Sequence, residues 1–76
     1  MNKDRRKRLQ QAINLIDEAQ NIIEECRDEE EEYRDNMPEN LQDSDKYYMA
    51  DEAVDNLTSA LESLEDVTSP IEEAIG

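Results

Sequence analysis

From Leu9 onward the apolar residues fall on two rows spaced seven apart, Leu9, Ile16 and Ile23 on one and Ala12, Ala19, Cys26 and Tyr33 on the other. Such a heptad seam predicts a helix that hides one stripe against a partner. Ile13, Leu15 and Ile22 widen the stripe, while Asp17, Glu18, Glu24, Glu25, Asp28 and Glu32 take the opposite side. The helix is expected over about 4–35, ending near Pro38 because a proline disfavours helical geometry in the residue before it. Residues 36–44 read as a structured turn: Asn36 and Glu39 have capping-box spacing, Leu41 is placed to tuck into the hairpin end, and Ser44 or Asp45 caps the next helix.

That second helix, over about 45–68, repeats the pattern, with Ala50, Leu57, Leu64 and Ile71 on one row and Ala53, Ala60, Val67 and Ala74 on the other. Pro70 then predicts a kink or a short restarted helix over 70–75, with Ser69 as its cap. Folded back about residue 40, Leu9 meets Ile71, Ile16 meets Leu64 and Ile23 meets Leu57. The small residues Ala12, Ala19 and Cys26 come near Val67, Ala60 and Ala53 and let the helices approach closely. The expected fold is therefore all-α, a single antiparallel two-helix hairpin. Its outer apolar residues, Ile13, Leu15, Ile22, Val54, Leu61 and Ile75, are expected to stay wet in an isolated hairpin. Covering them at ~25 cal/mol per Å² of apolar area favours dimerisation into a four-helix bundle.

Charge changes the picture from fold to function. The 76 residues hold 22 acidic against 8 basic side chains, a net charge of −14. Five of the cations, Lys3, Arg5, Arg6, Lys7 and Arg8, stand in the first eight residues against Asp4 alone, which leaves the rest of the chain at −18. So acidic a body is repelled by nucleic acid and anionic lipid and attracted to basic protein surfaces. The basic run itself is expected beside Glu65, Asp66, Glu72 and Glu73 in the folded hairpin. High charge with three aromatic residues also fits disorder. The matched heptads argue against it.

Candidate chemistry is sparse. No histidine and one cysteine exclude the usual catalytic triads, common zinc and haem ligand sets and an intramolecular disulfide. A single glycine excludes a phosphate-cradling loop. Acid-base catalysis needs a carboxylate held in an apolar site, and only Glu30 falls on a seam row, where an end-of-core residue reaching solvent is the expected reading. Asp43, Asp45, Asp51 and Glu52 suggest a calcium loop only superficially, since Tyr47, Tyr48 and Val54 occupy positions that need a ligand or glycine. Neither an enzyme, a cofactor nor a metal is expected. No apolar run long enough for a signal peptide or membrane span follows the basic start, so a cytoplasmic, reduced setting is expected. Cys26, Tyr33 and Tyr47 are read as core, and Tyr48 as a contact residue.

The stretches Arg27-Asp28-Glu29-Glu30-Glu31-Glu32, Asp35-Asn36-Met37-Pro38-Glu39-Asn40-Leu41-Gln42 and Ala53-Val54-Asp55-Asn56-Leu57 resemble a family of short acidic proteins from Firmicute genomes, phages and mobile elements. The resemblance spans about residues 5–67. It implies a helical hairpin of mobile-element origin, and assigns neither an activity nor functional residues.

The strongest functional candidate is the acidic run. Residues 17–35 carry ten carboxylates against Arg27 and Arg34, about one net charge per ~3.4 Å of helix, close to one strand of duplex DNA. The expectation is a non-catalytic acidic module that binds a basic protein, in its most concrete form a phage or mobile-element inhibitor mimicking nucleic acid. Asp28, Glu29, Glu31, Glu32 and Asp35, with Tyr48, Asp51, Glu52 and Asp55, would carry the contact. The alternatives are a merely solubilising face, or a structural bundle that only self-assembles.

Overall fold

The computed structural model describes residues 1–76 as two long antiparallel helices joined by a short turn. Helix α1 spans Lys3–Asp35 and α2 spans Asp45–Ile75, with a single 3-10 turn at Glu39–Leu41 between them and no strands. Asn2 starts α1 by accepting the Arg5 backbone N–H at 2.8 Å, which satisfies one of the four donors a helix leaves free. Ser44 does the same for α2, accepting from the Tyr47 N–H while its own hydroxyl donates to the Leu41 carbonyl.

The turn differs from its predicted form. Asn36 closes α1, its N–H donating to the Glu32 carbonyl at 2.9 Å, and Pro38 rather than Asn36 precedes the 3-10 turn with no side-chain cap. The Asn36–Glu39 capping box is thus absent, and Leu41 stays 45 % exposed instead of tucking in. Three residues of 3-10 turn are too few to carry Leu41 back over the core.

Helix α2 also corrects an expectation, running unbroken through Pro70 without a restart at Ser69. Proline's fixed φ suits a helix, although it forfeits the bond to the Asp66 carbonyl and its ring crowds that group. Half-buried Ile71 and Ile75 hold the final turns against α1.

The core is thin. Only Ile13, Ala50, Val54 and Leu61 are buried. A compact chain of this mass would expose about 4,800 Å² with a radius of gyration of about 11 Å. This one exposes 5873 Å², has a radius of 17.4 Å and measures 60 × 15 × 13 Å. It is a rod, and a rod of two helices cannot enclose much.

The first row of each predicted seam faces inward as expected: Leu9, Ile16 and Ile23 on α1 and Leu57, Leu64 and Ile71 on α2 are half-buried, and Ala50 is fully buried. The second rows are turned only part-way, with Ala12, Ala19, Ala53 and Ala60 still half-buried. On α1 the inward partners are Ile13, Gln20, Arg27 and Arg34, and on α2 Tyr47, Val54, Leu61, Thr68 and Ile75. Ile13, Val54 and Leu61, expected to stay wet, are 4 %, 7 % and 8 % exposed, and Ile75 is half-buried. Conversely Cys26 and Tyr33, expected in the core, are exposed, as are Val67 and Ala74. Branched side chains fill the gap between two helices better than alanine, so each helix rolls until Ile13, Val54 and Leu61 close it. Of the outer residues expected to be wet, Leu15 and Ile22 remain so, at 58 % and 61 %.

Candidate functional site

That roll decides which side chains each flank of the rod presents. Helical periodicity puts Ala12, Leu15, Ala19, Ile22, Cys26 and Tyr33 along one side of α1's inward row. Because α2 runs the other way, its Met49, Ala53, Ala60, Val67 and Ala74 come to the same side. Near the turn, one shallow depression is lined jointly by Glu30 and Tyr33 of α1 and Lys46, Met49, Ala50 and Ala53 of α2. This flank is apolar. Met49 is 70 % exposed and Val67 47 %, with Leu15 and Ile22 between them in height along the rod.

The other flank is acidic. Asp17, Glu24, Asp28, Glu31 and Asp35 fall on one row of α1, and Asp51, Asp55, Glu62 and Glu65 on the facing row of α2. Near the turn a single arginine joins the two rows. Arg34 Nη1 donates to Asp51 Oδ1 at 2.7 Å, Nε donates to Asp35 Oδ1 at 3.0 Å, and Nη2 lies 3.8 Å from Glu31 Oε1. Its side chain is 17 % exposed. The Asp35 hydrogen bond foremost, and Asp51 after it, raise the guanidinium's pKa above its ordinary value against the desolvation that lowers it. Arg34 thus stays charged at any working pH, and is the only cation in the chain that ion-pairs across the two helices.

Of the nine residues picked from the sequence for the contact, five converge: Asp28, Glu31 and Asp35 with Asp51 and Asp55. Glu32 and Glu52 lie exposed on the outer backs of their helices, Glu29 continues the row of Leu15 and Ile22, and Tyr48 continues the row of Asp55 and Glu62. Tyr48 meets only Tyr47, edge to face at 5.9 Å between ring centres. Asp17, Glu24, Glu62 and Glu65, which extend the acidic flank along the rod, were not picked out by sequence reasoning. Arg34 was missed too, although the pair Arg27 and Arg34, one heptad apart inside an acidic run, is the signal that marks it. Glu30 is half-buried at the edge of the apolar depression.

The basic start makes no ion pair with Glu65, Asp66, Glu72 or Glu73, contrary to expectation. Arg8 pairs within its own helix with Asp4 at 3.2 Å, both well exposed, and Lys3, Arg5, Arg6 and Lys7 have no carboxylate within 4.0 Å. The i,i+4 partner is nearer than anything across the helix gap.

No three carboxylates or thiols converge as metal ligands, no polar side-chain atom is buried without a partner, and no helix is long and apolar enough to cross a membrane. Comparison of the chain with protein-family models, with curated proteins and with solved structures gives no match.

Proposed function

We infer that the chain is a non-catalytic interaction module with two working flanks. The acidic flank engages a basic protein surface, and the apolar flank joins a second copy into a four-helix bundle. In its most concrete form it is an inhibitor of a nucleic-acid-binding protein, of phage or mobile-element origin, acting in the cytoplasm. The observation that carries the reading is the Arg34 bridge, which fastens carboxylates from both helices into one continuous flank opposite the exposed Leu15 and Ile22. A face meant only for solubility has no need of carboxylates from two helices on one side.

Capture of basic proteins on the immobilised chain tests the acidic flank. Replacing Asp28, Asp35 and Asp55 with lysine abolishes capture in this reading, and raising salt from 50 to 200 mM weakens it steeply, as for a ligand that displaces counterions. Capture that survives both changes excludes the electrostatic reading. The exposed apolar flank supports a second one, a structural bundle without a separate partner. There, self-association is the whole function, and a folded monomeric variant loses all activity in cells.

A further inference from the structure

The two ends of the rod differ in charge: the open end sets Lys3, Arg5, Arg6, Lys7 and Arg8 against Asp4, Asp66, Glu72 and Glu73, close to balance, while the turn end is strongly acidic. At the open end Lys3, Arg5, Arg6 and Lys7 are unpaired, whereas residues 28–55, at the turn end, carry twelve carboxylates against Arg34 and Lys46, and Arg34 is already held by Asp51. The basic start of one copy thus offers unpaired cations that the turn end lacks.

We propose that the apolar flank of one copy closes on that of a second copy lying in the opposite direction, so that the basic start of each covers the acidic turn of the other. The proposal rests on the self-association inferred above and fixes its face and orientation. A two-fold axis crosses the rod near its middle, so α1 lies antiparallel on α1 of the partner copy and α2 on α2. Leu15 then meets Cys26, Ala19 meets Ile22 and Arg8 meets Tyr33, reciprocally, as an isologous interface requires. On α2 the same axis brings Ala53 to Val67. That the two helices accept one axis is a constraint the sequence need not have met. The hairpin register already places Glu30 and Tyr33 beside Met49 and Ala50. Carried along the rod at ~1.5 Å per residue, it sets the midpoint of Leu15 and Cys26 level with that of Ala53 and Val67.

The arrangement also uses the turn. A second depression there is lined by Tyr33, Met37, Pro38 and Leu41 among others. The opposite direction brings the exposed Met1 side chain of the partner level with it. The alternative dimer, with both turns at one end, sets two groups of twelve carboxylates side by side, a juxtaposition that selects against it. A flank 60 Å by 15 Å offers roughly 900 Å² per copy, near the ~800 Å² per partner of a standard stable interface. The alanines between Leu15, Ile22 and Val67 leave room for the close approach this needs.

Cysteine cross-linking with the native Cys26 reads the orientation. Leu15 and Cys26 are ~16 Å apart on one helix, beyond the reach of a disulfide, so any bond between a cysteine at 15 and Cys26 joins two copies. Oxidised with diamide, Leu15→Cys runs as a covalent dimer on a non-reducing gel. The unaltered chain does not, because its two Cys26 thiols are also ~16 Å apart along the axis. In a Cys26→Ser background, Ala53→Cys with Val67→Cys cross-links copies in the same way, because these two positions are ~21 Å apart on one helix and meet only across the proposed axis. Circular dichroism verifies that both variants keep their helices. Cross-linking of neither variant, in a chain that sediments at twice its mass, overturns the proposed face and orientation. If the unaltered chain sediments at a single mass across the micromolar range, the self-association itself fails.

Discussion

The two flanks of this hairpin are made by the same pair of helices and share the same thin core, yet one carries Leu15, Ile22, Met49 and Val67 while the other carries nine carboxylates, three of them held by Arg34. The difference arises from how far each helix rolls about its own axis. With the roll set by Ile13, Val54 and Leu61, the exposed Leu15, Ile22, Met49 and Val67 lie on one side, and the two acidic rows are left on the other. A two-helix hairpin therefore sorts its surplus, and a sorted surface can serve two partners at once.

The largest effect comes from attacking what both flanks share. Leu61→Asp buries an unpaired carboxylate in the narrowest part of the core, at a cost of about 4 kcal/mol or more. Against so little buried surface, the far-ultraviolet circular dichroism of the variant is expected to lose most of its helical signal, and both flanks vanish with it.

Next comes a change confined to the apolar flank. Leu15→Glu with Ile22→Glu leaves the hairpin helical but removes two side chains whose burial contributes ~1.5–3 kcal/mol each. At ~1.4 kcal/mol per tenfold, association falls by at least ~100-fold, read by sedimentation equilibrium. Equal association of variant and parent would mean that this flank is not a contact.

The acidic flank is sharpened by Arg34→Gln, which unties Asp51 from Asp35 and Glu31. The thermal midpoint is expected to fall, by less than for Leu61→Ala, and the deficit to shrink as salt screens the freed carboxylates. An unchanged midpoint at low salt would remove the bridge from the account. The smallest effect on either flank belongs to Pro70→Ala: it restores the bond to the Asp66 carbonyl and removes the ring's clash with that group, stabilising the chain by up to about 3 kcal/mol in urea unfolding without altering association or capture.

Much of this was legible in the chain itself. Helix α1 begins one residue and ends none from where periodicity places it, Ser44 caps α2, and the rows of Leu9 and Leu57 face inward. A heptad leaves one choice open, whether the second row lies three or four residues on. On α1 the choice was between Ala12, Ala19, Cys26 and Tyr33 and a row interrupted by Gln20, Arg27 and Arg34. Periodicity favours the uninterrupted row. The structure takes the other, because Ile13 fills the gap and a long arginine can lay its stem along the core while its guanidinium finds a carboxylate. That partner, Asp51, is seventeen residues away, so no local pattern announces it. The acidic run was visible for the same reason that its final shape was not: charge density is a property of the sequence, and convergence of Asp28 with Asp55 is a property of the roll.

Alkylation of Cys26, the sole thiol and an exposed member of the apolar flank, tests the roll and its closure by a second copy together. Its rate in the unaltered chain, followed from nanomolar to high micromolar protein, is expected to start at the value for a free thiol and to fall as copies associate. A rate that is slow at every concentration would return Cys26 to the core of a single hairpin, and one that is fast at every concentration would leave the apolar flank uncovered. Either result contradicts the account.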